Sequence, residues 1–183
     1  LKVNPAAFCT SPREILRLFP NINTMVVDGL WCLETVDALP DTVTAIVVQE
    51  PHISLEYPYR IPFTDRFIRI RTIADQYGFV DLSPFPRLES CTIVSTRRTL
   101  NITFPAHRLK RLVVFDQMPG DDEPDRIPPD CAEQIILIYK SPERFARAKS
   151  VPHPPHVRVF CSAIGQGVAP EDLLPIFGMR KCT

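Results

Sequence analysis

Residues 85–96, FPRLESCTIVST, set Phe85-Pro86 ahead of a short polar stretch and a strand-like run. The cadence recurs as FPNINTMVVDG at 19–29, LPDTVTAIVVQ at 39–49 and FPAHRLKRLVVF at 104–115. Pairs of Phe, Leu, Ile or Val followed by proline stand at Pro20, Pro40, Pro62, Pro86, Pro105, Pro128, Pro152 and Pro175. Their spacings are 20, 22, 24, 19, 23, 24 and 23 residues. The chain's other 12 prolines follow none of these four residue types, so the ladder is a real repeat and not a selection.

An apolar triplet with the spacing L-x-x-L-x-L follows most pairs. It reads Ile22-Met25-Val27, Val43-Ile46-Val48, Leu88-Cys91-Ile93, Leu109-Leu112-Val114 and Ala132-Ile135-Leu137. The third unit offers Ile68 and Ile70 with Asp65 in first place, and the seventh offers Val157 and Val159 after Pro154. The last two members of a triplet alternate, so on a strand both face one side. The proline ahead of them fixes φ and lacks a donor where pairing has not begun. One unit cannot bury its apolar side alone, whereas stacked units share a core and a parallel sheet.

The segments between triplets carry helix-start signals. SPRE at 11–14 reads as a capping box with Pro12 at the first helical position. SPERFARAKS at 141–150 repeats that signal, APEDLLPIF at 169–177 gives a third, and LWCLETVDAL at 30–39 also reads as helical. The limbs at 49–60 and 116–126 are rich in turn formers.

The period and the triplet resemble leucine-rich repeats, although the Asn or Cys that usually follows the strand there is missing. SPREILRLFPNINTMVVDG is similar in style to the opening of the repeat region in F-box proteins. The resemblance implies an α/β horseshoe of about seven short parallel strands, with short helices or irregular segments on its convex side. It further implies substrate recognition for a cullin-based ubiquitin ligase, reached through an adaptor-binding region outside this chain. Residues 1–183 are then one domain belonging to a longer protein. A capping helix occupies 1–18, repeats fill 19–177, and 178–183 form a tail.

Composition agrees with a folded domain: 45% of the 183 residues are apolar and 23% charged. Lys+Arg and Asp+Glu balance at 21 each, which argues against a nucleic-acid partner. No apolar run approaches the roughly 20 residues of a membrane span. The six cysteines are widely spaced without C-x-x-C, which disfavours zinc and suggests free thiols in the cytoplasm or nucleus.

Residues flanking each inward pair face away from the core and would line the concave surface of a horseshoe, with Val26, Val47, Arg69, Thr92, Val113, Ile136 and Arg158 at the central place and Asp28, Gln49, Arg71, Val94, Phe115, Ile138 and Phe160 one place later. Val113, Phe115, Ile136, Ile138 and Phe160 make that row apolar, and Arg69, Arg71 and Arg158 add cations able to engage a carboxylate or phosphate on a protein partner. The competing reading has a loop covering the apolar row and the arginines simply solvated near Asp121–Asp125. No catalytic residue, metal site or cofactor is expected. His153 and His156 are separated by two prolines, which precludes a helical metal pair. His52 and His107 are isolated, GQG at 165–167 reads as a turn, and Trp31 as a cap on the first coil. Two alternatives remain: a doubly wound α/β enzyme with a Cys/His site, and a disulfide-bonded extracellular repeat protein. The first needs about 30 residues or more per strand unit, against the 19–24 seen here.

Overall fold

A computed structural model of the protein describes residues 21–27, 39–48, 63–74, 78–95, 100–118 and 127–162. The expected capping helix at 1–18, all but Leu39 of the helical stretch at 30–39, the helix at 169–177, the tail, Trp31 and the limb at 49–60 lie outside these residues.

The repeated triplets form strands. These are β1 (Thr24–Val27), β2 (Ala45–Val48), β3 (Arg69–Ile73), β5 (Ser90–Ser95), β7 (Leu109–Asp116), β8 (Ala132–Tyr139) and β9 (Val157–Cys161). They make one seven-stranded sheet in the order β1-β2-β3-β5-β7-β8-β9. Every pair is parallel, and the order follows the chain from edge to edge. A doubly wound sheet reverses its order at a switch point; this one does not.

Met25, Ile46, Ile70, Cys91, Leu112, Ile135 and Val157 stand side by side, at intervals of 21, 24, 21, 21, 23 and 22 residues. The longest interval, before Ile70, shifts the third unit. Its inward triplet is Phe67-Ile70-Thr72, not one led by Asp65, and Phe67 is fully buried. The two extra residues are taken up by a turn in which Arg66 N–H donates to the Phe63 carbonyl, with Phe63 at φ 61°.

The proline phrase writes the corner before each strand. Tight turns close from Val43 N–H to Pro40 O, Leu88 to Phe85, Cys131 to Pro128 and Val157 to Pro154, at 2.9–3.2 Å. Three of these place a proline at the second turn position (Pro86, Pro129, Pro155), where its fixed φ suits types I and II.

The return limbs overturn the horseshoe. A second parallel sheet pairs β4 (Phe79–Asp81) with β6 (Asn101–Thr103), from two successive return limbs. Residues 79–82 and 101–104 alternate, with Val80 and Leu82 buried and Ile102 and Phe104 packed on the core. Alternation with Val, Ile and Thr suits a strand, and Pro84 and Pro105 bar continuation as a helix. Two sheets thus face each other across one core, in which Phe67 and Phe85 meet edge to face at 6.2 Å between ring centres. The molecule is a parallel β-solenoid. The α/β leucine-rich-repeat architecture, the F-box likeness and the ubiquitin-ligase role drawn from it fall together, because the return limbs pair as a second parallel sheet where helices or irregular segments were expected.

Among the described residues a single helix, α1 (Pro142–Ser150), returns β8 to β9, where the sequence signal placed it. Ser141 caps it by accepting from Arg144 N–H at 3.2 Å, and its hydroxyl donates to Glu143 Oε2 at 2.6 Å. That bond holds the Glu143 carboxyl below its ordinary range. A depressed folded pKa contributes stability above the unfolded value and loses it as pH falls through the folded one. Ser141→Ala is expected to cost about 1 kcal/mol in urea unfolding at pH 7. It should also remove the Glu143 contribution to acid sensitivity below the ordinary carboxylate pKa.

Candidate functional site

The outer side of the large sheet faces away from the core, and its in-register pairing builds two rows. The central row runs Val26, Val47, Arg71, Thr92, Val113, Ile136 and Arg158. The second runs Ile73, Val94, Phe115, Ile138 and Phe160. The shift in the third unit therefore moves Arg71 into the central row, where Arg69 was expected, and puts Ile73 in the second. Arg69 stands one place earlier, beside Ala45 and Ser90. Asp28 and Gln49, expected to extend the second row, lie outside the described residues.

Val113, Ile136 and Ile138 form a second apolar cluster on this side, with Phe115 and Phe160 half-buried against it. Val113 and Ile138 are only 2% and 1% exposed. They are a floor, and the aromatic rings and arginines are what stand above it. Arg69 and Arg158 are exposed and Arg71 half-buried. Arg71 and Arg158 share a row four strand spacings apart, roughly 19 Å.

Other polar residues are absorbed by the stack. Arg66 donates to Leu39 O at 2.8 Å, pairs with Asp41 at 3.1 Å and lies over the Phe63 ring. Arg108 donates to Ala132 O at 2.8 Å. His107 Nε2 is 2.6 Å from Leu88 O, and His156 Nε2 is 2.7 Å from Pro129 O. Each bond reaches a neighbouring coil near the corner that precedes a strand. These cationic and imidazole staples satisfy carbonyls at the corners of neighbouring coils. No spacing rule marks them, since the partner carbonyl is 19–27 residues away. Lys110 pairs with Glu89 at 2.9 Å, and that hydrogen bond and charge push its ammonium pKa up.

His153 and His156 diverge, as their prolines require: His153 Nε2 meets Ala148 O at 2.8 Å, within the limb after α1. Among the described residues no group of three or more His, Cys, Asp or Glu is placed to hold a metal. Cys91, Cys131 and Cys161 are free thiols. Burial pushes the Cys91 thiol far up, and burial with the Asp130 charge pushes Cys131 up to about 11. Neither is a nucleophile at neutral pH. Among the described residues no helix is long and apolar enough to cross a membrane.

The fold and this surface define a β-solenoid of the kind that serves generically as an interaction scaffold. In comparisons with family models, curated proteins and solved structures, none matched the chain significantly.

Proposed function

We propose that the protein is a binding scaffold that holds a protein partner on the outer side of its seven-stranded sheet, and that it has no catalytic role. The observation that carries this reading is the in-register surface in which half-buried Phe115 and Phe160 rest on the floor of Val113, Ile136 and Ile138, between Arg69 and Arg71 at one end and Arg158 at the other. Half-buried aromatics beside arginines are the residue types that dominate protein interfaces. The guanidinium groups favour a partner with carboxylates at matching separation. A cytoplasmic or nuclear setting belongs to the same proposal, supported by the three free thiols.

Arg69→Glu combined with Arg158→Glu tests it, because both positions are exposed and surface changes of this kind stay within about 0.5 kcal/mol of wild type. Cross-linked partners recovered by the wild-type chain should fall at least about tenfold with the double variant, since each desolvated charge contact is worth roughly 1.5–3 kcal/mol. Asp81→Lys, on the exposed side of the second sheet, should leave recovery unchanged. Equal recovery by the double variant, with its melting temperature unaltered, would sink the outer-face assignment.

A further inference from the structure

A third row crosses the outer side of the large sheet, one place before the central one. It runs Ala45, Arg69, Ser90, Arg111 and Gln134. Arg69 and Arg111 therefore flank Ser90, two strand spacings or about 10 Å apart. Arg69 is exposed, and Ser90 and Arg111 are half-buried. Among the described residues neither guanidinium has an ion-pair partner. Arg111 Nε is shut off from water with no hydrogen-bond partner, and an unmet buried donor carries a desolvation cost that an acceptor relieves. Arg71, beside Thr92 in the central row, has an interaction of its own and adds only its charge. The carboxylate next to Ser90 in the chain, Glu89, is held by Lys110 at 2.9 Å. The three outward rows contain Arg69, Arg71, Arg111 and Arg158 and, among the described residues, no carboxylate.

This arrangement selects among anions. A carboxylate presents two oxygens, which one guanidinium fork satisfies. A phosphate monoester presents three, with about −1.5 to −2 charge at neutral pH. Two guanidinium groups without ion-pair partners, on either side of a hydroxyl, match the phosphate. The cations do not continue as a track, since in these rows β8 and β9 carry only Arg158. A nucleic-acid strand needs positive charge along its length. Apolar surface follows instead, with Phe115 four residues along β7 from Arg111. We propose that this end of the sheet binds a phosphorylated residue of the protein partner, its phosphate over Ser90 between Arg69 and Arg111, and an apolar residue of the same segment against Phe115 and Phe160. The proposal rests on the outer-face reading and adds what the partner carries there.

Fluorescence anisotropy with the full chain tests this, using a short labelled peptide with one phosphoserine and a leucine about four residues to either side. The peptide should bind saturably at one per chain, at least about tenfold more tightly than the same peptide with serine or glutamate in that place. Arg69→Gln with Arg111→Met should remove the preference for phosphate and melt no lower than wild type, because the unmet donor goes with the guanidinium. Arg69→Gln alone, at an exposed position, should weaken the phosphopeptide at least about fivefold, and it decides the matter if the double variant does not fold. Absence of saturable binding to wild type, equal affinity for the phosphoserine and glutamate peptides, or undiminished binding by Arg69→Gln would each overturn the proposal. Displacement of the peptide by an equal concentration of oligothymidine would overturn it in favour of a nucleic acid. Phosphatase treatment of the partner mixture should reduce cross-linked recovery. Recovery indifferent to phosphatase but lost with Arg69→Glu and Arg158→Glu would overturn the phosphate and leave the outer-face reading standing.

Discussion

Arg144→Met is expected to destabilise the protein by about 3–5 kcal/mol, the cost of leaving one member of a buried ion pair unpaired. Arg144 is fully buried and Asp116 is 3% exposed. Arg144 Nε donates to Asp116 Oδ2 at 2.8 Å, with Nη2 at 2.7 Å from the same oxygen. Asp116 Oδ1 accepts from Met118 N–H at 2.8 Å. Removing the guanidinium strands a carboxylate where water cannot solvate it, and separates α1 from β7. The loss should lower the melting temperature by roughly 10 °C or more for a chain of this size. Asp116→Asn added to Arg144→Met should recover most of it, because the amide oxygen keeps the Met118 bond without the charge. A single variant as stable as wild type, or a double variant no better than the single, would show that the pair does not tie the helix to the sheet.

Leu112→Ala carries the second large effect, about 2–5 kcal/mol in urea unfolding. Leu112 is fully buried in the middle of β7, between Cys91 on β5 and Ile135 on β8 in the same inward row. Coils on both sides hold it, so the cavity left behind cannot collapse. Val157→Ala, in the same row but on the last described strand and half-buried, should cost distinctly less. The ordering follows from stacking, in which each coil is stabilised chiefly by its neighbours. Equal costs at the two positions would contradict a continuous shared core.

The strands were legible because their determinants are local. Leu88-Cys91-Ile93 and Leu109-Leu112-Val114 bury the residues that the alternation names, and Pro86 shapes the corner ahead of the first. Ser141-Pro142-Glu143 announced α1 in the same way. The third unit misled because Ile68 and Ile70 satisfy the alternation as well as Ile70 and Thr72 do; the turn at Phe63–Arg66 and the burial of Phe67 decided between them. For the candidate surface, the outer-facing set could be listed from alternation alone. That Val113 and Ile138 are buried while Phe115 and Phe160 remain half-exposed depends on what lies across strand boundaries.

The return limbs mark the boundary between what is written in the chain and what is not. An L-x-x-L-x-L phrase about every 22 residues commits the polypeptide to parallel coils around an apolar core, because periodicity alone sorts the side chains by face. It is silent on whether the chain comes back as helix or strand. FVDL at 79–82 and NITF at 101–104 are too short to settle that by themselves, since a pair of three-residue strands has no stability alone. They become a sheet only when stacking sets them side by side over Phe67 and Phe85. The same stacking brings Arg144 to Asp116 and His107 to Leu88, contacts between residues far apart along the chain whose energy exists only once the coils are in register.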